Sequence, residues 1–194
     1  MRYDSEHKAR TRDRVLKAAA AALRAEGPDR LGVADVMNRA GLTHGGFYAH
    51  FKSKDDLLTE AVGAMFKDRY ELYFADIDTV EPRAGLQRFV DNYLSIRHRD
   101  ARETGCPIPI LAGELHRLPD AARERFDRSV HRLTDGIVTL LERAAIRTPR
   151  RRAVSAMAEM VGAIAVSRTL ADATEAKELL DTAKASVESK FGLR

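Results

Sequence analysis

The sequence predicts an all-α protein in two parts, and three observations predict it. Apolar residues recur at helical spacing along almost the whole chain of 194 residues. No run alternates strictly between apolar and polar with enough β-branched residues to make a strand. Charge is uneven: residues 1–54 hold 11 Lys/Arg against 6 Asp/Glu and residues 55–194 hold 22 against 23, within a net charge of +4. A basic first quarter joined to a near-neutral remainder points to one segment that meets a polyanion and a larger one with another task; a basic, solvated helix is the bland alternative.

The elements follow in order. A first helix is expected over about 6–26, with Val15, Ala19, Ala22 and Leu23 on one stripe and Gly27-Pro28 ending it. A short helix over about 33–39 stops at Gly41, and a second starts behind Thr43 as N-cap, which makes a helix-turn-helix. Ser53-Lys-Asp-Asp56 is a capping-box variant opening a helix of about 22 residues, roughly 33 Å, striped by Leu57, Leu58, Ala61, Val62, Met65, Phe66, Tyr70 and Tyr73. Periodicity then gives helices over about 82–99, 108–117 and 119–146. Thr148-Pro149 reads as an N-cap and N1 proline for a helix to about 171, and Thr174 opens the last. Nine helices are expected, divided into a helix-turn-helix domain at 1–52 and a helical domain at 53–194.

Composition excludes several function classes. No stretch reaches the roughly 18 apolar residues of a bilayer span, so no membrane partner is expected. The N-terminus lacks the apolar core of a signal peptide, and the one cysteine, Cys106, permits no intrachain disulfide; a cytoplasmic location is expected. Gly-rich phosphate loops, G-x-S-x-G and H-E-x-x-H are missing, so an enzyme is not expected. His44 and His50 have no Cys or carboxylate at ligand spacing, and His98-Arg-Asp100 and Glu114-Leu-His116 read as solvated helix faces. No metal or cofactor is expected.

Segment 31–54 carries the chemistry. Val33, Val36, Ala40, Leu42, Phe47 and Phe51 supply a compact core, which leaves Thr43, His44, Gly45, Tyr48, His50 and Lys54 pointing outward. Gly45 and Gly46, in the first turn of a short helix, each cost about 1 kcal/mol relative to Ala, and close approach of the backbone to another surface would offset that. With DNA as that surface, the N-terminal turn enters the major groove. Thr43 and His44 then reach base edges or phosphates, while Tyr48, His50 and Lys54 hold the backbone.

The run Ala40-Gly-Leu-Thr-His-Gly-Gly-Phe-Tyr-Ala-His-Phe-Lys-Ser-Lys54, preceded by Thr11-Arg-Asp-Arg-Val-Leu-Lys-Ala-Ala18 and Gly27, resembles the DNA-binding domain of the TetR/AcrR family of bacterial transcriptional regulators over about residues 6–58. It matches the usual form A-G-[VL]-[ST]-x-G-x-[LIF]-Y-x-[HY]-F-x-[SN]-K at every defined position. The resemblance implies a homodimeric repressor that binds a palindromic operator in double-stranded DNA. It also implies a C-terminal domain that takes a small-molecule inducer, dimerisation through the last two helices, and DNA-contacting positions at Thr43, His44, Gly45, Tyr48, His50 and Lys54. Three positions depart from the family habit. Gly32 lacks the hydroxyl common at the second helix's cap, Ala34 replaces a longer polar residue, and Met37 replaces a small one, which should alter helix packing more than DNA contact.

The remaining candidates lie in the second part. Phe66, Tyr70, Phe89, Tyr93 and Phe126 read either as core or as the lining of an apolar ligand cavity. Cys106, in Thr104-Gly-Cys-Pro-Ile-Pro109 ahead of a helix, resembles a cysteine through which some members of the family sense electrophiles or oxidants. That role requires a partly exposed, thiolate-prone sulfur, and a small packed residue is the alternative. Met157, Val161 and Ile164 with Leu180, Ala183 and Val187 suit a two-fold four-helix interface, or equally a helix buried within one chain. Two further functions stay open at this stage: induction through Cys106, and a helical interaction module without DNA binding.

Overall fold

The computed structural model describes residues 2–194, with side chains from residue 6 onward. The N-terminal part consists of α1 (Arg2–Glu26), α2 (Val33–Arg39) and a 3-10 segment, His44–Ala49. The rest comprises α3 (Lys54–Phe74), α4 (Pro82–Tyr93), α5 (Ile96–Asp100), α6 (Ile108–Leu111), a 3-10 segment (Ala112–Arg117), α7 (Asp120–Arg143), α8 (Pro149–Ser167) and α9 (Ala173–Lys190). No strand occurs among the described residues, as the sequence predicts.

Local chemistry explains most boundaries. The Ser53 hydroxyl accepts the Asp56 N–H, as a capping box requires, but the Asp56 carboxylate accepts from Lys52 N–H (2.9 Å) rather than from the cap residue. Asp172 caps α9 with its carboxylate on the Thr174 and Glu175 amides. Three expectations are corrected. The span expected as one helix over 82–99 breaks at Leu94, because the Ser95 hydroxyl captures the His98 N–H and starts α5. The stretch 108–117 is a four-residue α-helix followed by a 3-10 segment. Thr148 precedes Pro149 in a left-handed conformation (φ 56°), its hydroxyl bonded to Arg147 O instead of capping α8.

The core runs continuously from α1 to α9. Helix α3 packs mainly on α7, and α8 on α9 and α7, while α1 lies against α3 and thereby joins the N-terminal part to the rest. Gly136 makes the α3–α7 approach possible, since a Cβ there would lie 2.8 Å from the Phe74 ring. Tyr73, Phe74, Phe89 and Tyr93 form an aromatic core, with Tyr73 edge-on to Phe89 at 4.9 Å. No helix of the structure is long and apolar enough to cross a membrane.

Candidate nucleic-acid interface

The turn of the helix-turn-helix is set by one glycine. Gly41 has φ 67°, a conformation that costs a side-chain-bearing residue energy, and it lets Gly41 N–H reach Asn38 O (2.9 Å) and Leu42 N–H reach Met37 O (2.9 Å). The Arg14 guanidinium donates to Ala40 O and so pins α1 to the turn. Beyond the turn, Thr43 occupies the cap position in extended backbone and makes no side-chain capping bond, which leaves its hydroxyl available. The segment that follows is a 3-10 helix rather than the expected α-helix.

Packing decides which side of this segment faces out. Phe47 and Phe51 are buried and stack at 5.7 Å, with the Arg12 guanidinium 5.0 Å from the Phe51 ring. Thr43, His44 and Gly45 are exposed beside Tyr48, which is 73% exposed, and Lys54 is half-exposed at the start of α3. The two glycines differ. A Cβ on Gly46 would make ordinary contact with Met37 Cε (3.6 Å), so Gly46 faces inward onto α2. A Cβ on Gly45 would meet nothing within 4 Å. No intramolecular contact therefore explains Gly45.

His50 sits apart from the other five. It is half-buried, its Nδ1 lacks a hydrogen-bond partner, and burial, with Lys8 and Arg12 nearby, holds its pKa below the ordinary histidine value. Among the described residues Lys52 and Lys54 have no carboxylate partner, whereas Arg39 is neutralised by Glu26 and Asp35. The departures at Gly32 and Ala34 leave α2 without a side-chain cap and with an apolar exposed residue in its first turn.

The second-part candidates are distributed unevenly. Phe66 and Tyr70 line a cleft of about 690 Å³ between α1, α3 and α7, together with Arg125 and Arg132, the latter 4.1 Å over the Tyr70 ring. The cleft is charged, not apolar. Phe89 and Tyr93 belong to the aromatic core, and Phe126 packs edge-on to Phe66 at 4.9 Å. Cys106 is fully buried, and burial pushes its thiol pKa up, whereas the sensing role would require a partly exposed, thiolate-prone sulfur. Desolvation outweighs the N-terminus of a four-residue helix. His98, expected on a solvated face, is buried as well. Its Nδ1 pairs with Tyr93 O (2.7 Å), its Nε2 accepts Cys106 N–H (2.8 Å), and burial lowers its pKa to about 4.

The single chain already buries Met157 and Ile164 of α8 and Leu180, Ala183 and Val187 of α9, two helices that pack on each other. Val161 is half-buried and borders a stripe on α8 made of exposed Val154 (53%), Ala158 and Val166 with half-buried Gly162. Sequence reasoning also missed Arg24. This residue of α1 is nine-tenths buried and donates to Glu103 O (3.0 Å) and Met65 O (3.4 Å), linking the N-terminal part to the loop that carries Cys106. Its only sequence signal is its place directly after the buried stripe residue Leu23.

Comparison with known proteins agrees with this architecture. Residues 15–61 match the family model for bacterial regulatory proteins of the tetR family, and residues 82–187 match a tetracyclin repressor-like C-terminal domain. The HTH-type transcriptional repressor KstR2 of Mycolicibacterium smegmatis is 30% identical over 119 residues, 59% of this chain, and the match spans about half (55%) of that relative's length. Among solved structures, reduced NemR of Escherichia coli superposes with a TM-score of 0.80 at 18% identity, covering 92% of this chain and 95% of that one. A TetR transcriptional regulator from Chloroflexus aurantiacus gives 0.79 at 25% identity, covering 96% of each.

Proposed function

The chain belongs to the tetR family of bacterial regulatory proteins, and from that premise we propose that it is a homodimeric repressor released from a two-fold DNA operator by a small molecule. The observation that carries the DNA reading is the exposed surface Thr43–Tyr48, where Gly45 keeps the backbone bare on the side away from the core. Thr43 and His44 read bases from the N-terminal turn, and Tyr48 and Lys54 grip the phosphates on either side. His50 steadies the segment from its half-buried position.

In this reading residues 1–52 form the DNA-binding part and 53–194 the effector and dimerisation part. The dimer face is the stripe of exposed Val154, Ala158 and Val166 with half-buried Gly162, where Ala158 and Gly162 allow close helix approach. Arg24 and α3 both connect the two parts, so a ligand that favours another arrangement of the core changes the spacing of the two reading segments. A tenfold loss of DNA affinity needs only about 1.4 kcal/mol of differential binding. Release through Cys106 is a second route, favoured by the Arg24 bond to Glu103 in the same loop, but it requires the loop to open first.

The test is selection from a random duplex pool, followed by affinity measurement on the enriched duplex and a scrambled control. An enriched motif with two-fold symmetry is expected. Equal affinity for the enriched and scrambled duplexes would refute sequence-specific binding.

A further inference from the structure

A guanidinium without an acceptor spans the cleft between α1, α3 and α7. Arg125 of α7 is half-buried and reaches across to α3, where a Cβ on Gly63 would lie 2.5 Å from its Nη2 and 2.9 Å from its Cζ. Glycine inside a helix is unfavourable relative to alanine, and here the bare backbone gives the guanidinium its seat. Among the described residues the Arg125 side chain meets no carboxylate, carbonyl or hydroxyl. About two turns further along α7, Arg132 lies 4.1 Å over the Tyr70 ring, and it too has no acceptor among the described residues.

Four carboxylates border the same cleft, and pairing accounts for two of them. Glu60 is held by Arg12 at 3.3 Å and Glu71 by Lys67 at 3.8 Å. Of the other two, Asp68 already acts on the buried Arg24. One exposed acid, Asp13, therefore faces three cations, Lys17, Arg125 and Arg132, that have no ion-pair partner among the described residues. The α7 wall carries no acid, and Ser129 adds a hydroxyl between its arginines. A half-buried guanidinium that has lost part of its water and gained no acceptor calls for an anion, and the planar fork matches a carboxylate. The floor is apolar, made of Leu16, Ala20, Ala64, Phe66 and Leu133.

We propose that this cleft binds an organic carboxylate with an apolar body, the acid group on Arg125 and the body on the floor. Its volume, about 690 Å³, falls in the range of pockets that take drug-sized molecules. One wall belongs to α1 and the opposite walls to α3 and α7, so an occupant ties the N-terminal part to the rest. Binding stands without the repressor reading; its consequence for operator affinity rests on that reading.

The test is calorimetric titration of the full-length protein with naphthoate at constant ionic strength. Naphthalenemethanol is the uncharged counterpart and acetate the acid without a body. Saturable naphthoate binding is expected, at least tenfold weaker in Arg125→Gln. Gly63→Ala should weaken it as well, because the added methyl takes the seat of the guanidinium. Arg123→Gln, which removes a charge from α7 outside the cleft, should bind like the parent. Thermal melting confirms that each variant is folded. The proposal is overturned by no saturable binding, by equal affinity for naphthalenemethanol or acetate, by parent-like affinity in Arg125→Gln and Gly63→Ala, or by equal weakening in Arg123→Gln. No DNA is present, so failure here leaves operator binding standing.

Discussion

Replacing Gly45 by alanine separates folding from DNA recognition. The added methyl meets nothing within 4 Å, and the residue does not lie in the left-handed region, so the folded protein accepts it without strain. The substitution removes freedom from the unfolded chain and should stabilise by about 0.4–1 kcal/mol. For a chain of this size that raises Tm by roughly 1–4 °C. In the proposed complex the same methyl would project toward the DNA. If it costs one charge-assisted hydrogen bond, about 1.5–3 kcal/mol, affinity for the enriched duplex falls roughly ten- to a hundredfold. Gly46→Ala is the control, since its methyl turns inward onto Met37 Cε at 3.6 Å, and DNA affinity should stay within about twofold. Melting curves and fluorescence anisotropy on one preparation give both numbers. If Gly45→Ala gains the stability yet binds DNA as tightly as the parent, the close-approach argument is wrong.

Three further outcomes follow from burial. His98 has a folded pKa of about 4 against an ordinary value of 6.5, so its contribution is complete above about pH 6.5 and lost as pH falls toward 4. The stability difference between parent and His98→Gln should shrink by roughly 3 kcal/mol across that window, as urea unfolding at several pH values would show; a constant difference contradicts the assignment. Cys106, buried and raised in pKa, should react with iodoacetamide far more slowly in the folded protein than in urea, and rapid labelling of the native protein would contradict its burial. Ala158→Asp should halve the dimer mass to 21.6 kDa in light scattering while helicity is kept, whereas Ile164→Asp should unfold the chain; a stable Ala158→Asp dimer refutes the α8 face.

The fold was legible where local chemistry and periodicity agree. Gly41 and Ser53 mark their boundaries because one supplies the left-handed turn and the other an acceptor for a free amide, and Pro149 marks its own because the first helical residue needs no N–H. The break at Leu94 was hidden because apolar spacing continues through it, and the deciding event is one hydroxyl, Ser95, outcompeting the helix for an amide. The outward set Thr43, His44, Gly45 and Tyr48 was readable from its apolar complement, Phe47 and Phe51. Tertiary packing hid the rest. Periodicity identifies the apolar face of α8 but not its neighbour, and α8 with its buried Ile164 packs on α9 and α7 of its own chain. Arg24 is marked only by its place after Leu23, and His98 carries no sequence mark of its burial.

The most direct test of the account is the salt dependence of operator affinity in the parent and in Lys54→Ala. Each phosphate neutralised contributes a slope of about −0.9 in log affinity against log salt. Removing Lys54 from both protomers should therefore flatten the slope by about 2 and weaken binding to every duplex alike. Parent-like affinity and slope in Lys54→Ala, with the same result for exposed Tyr48→Ala, would contradict the assignment of residues 43–54 as the DNA-gripping surface.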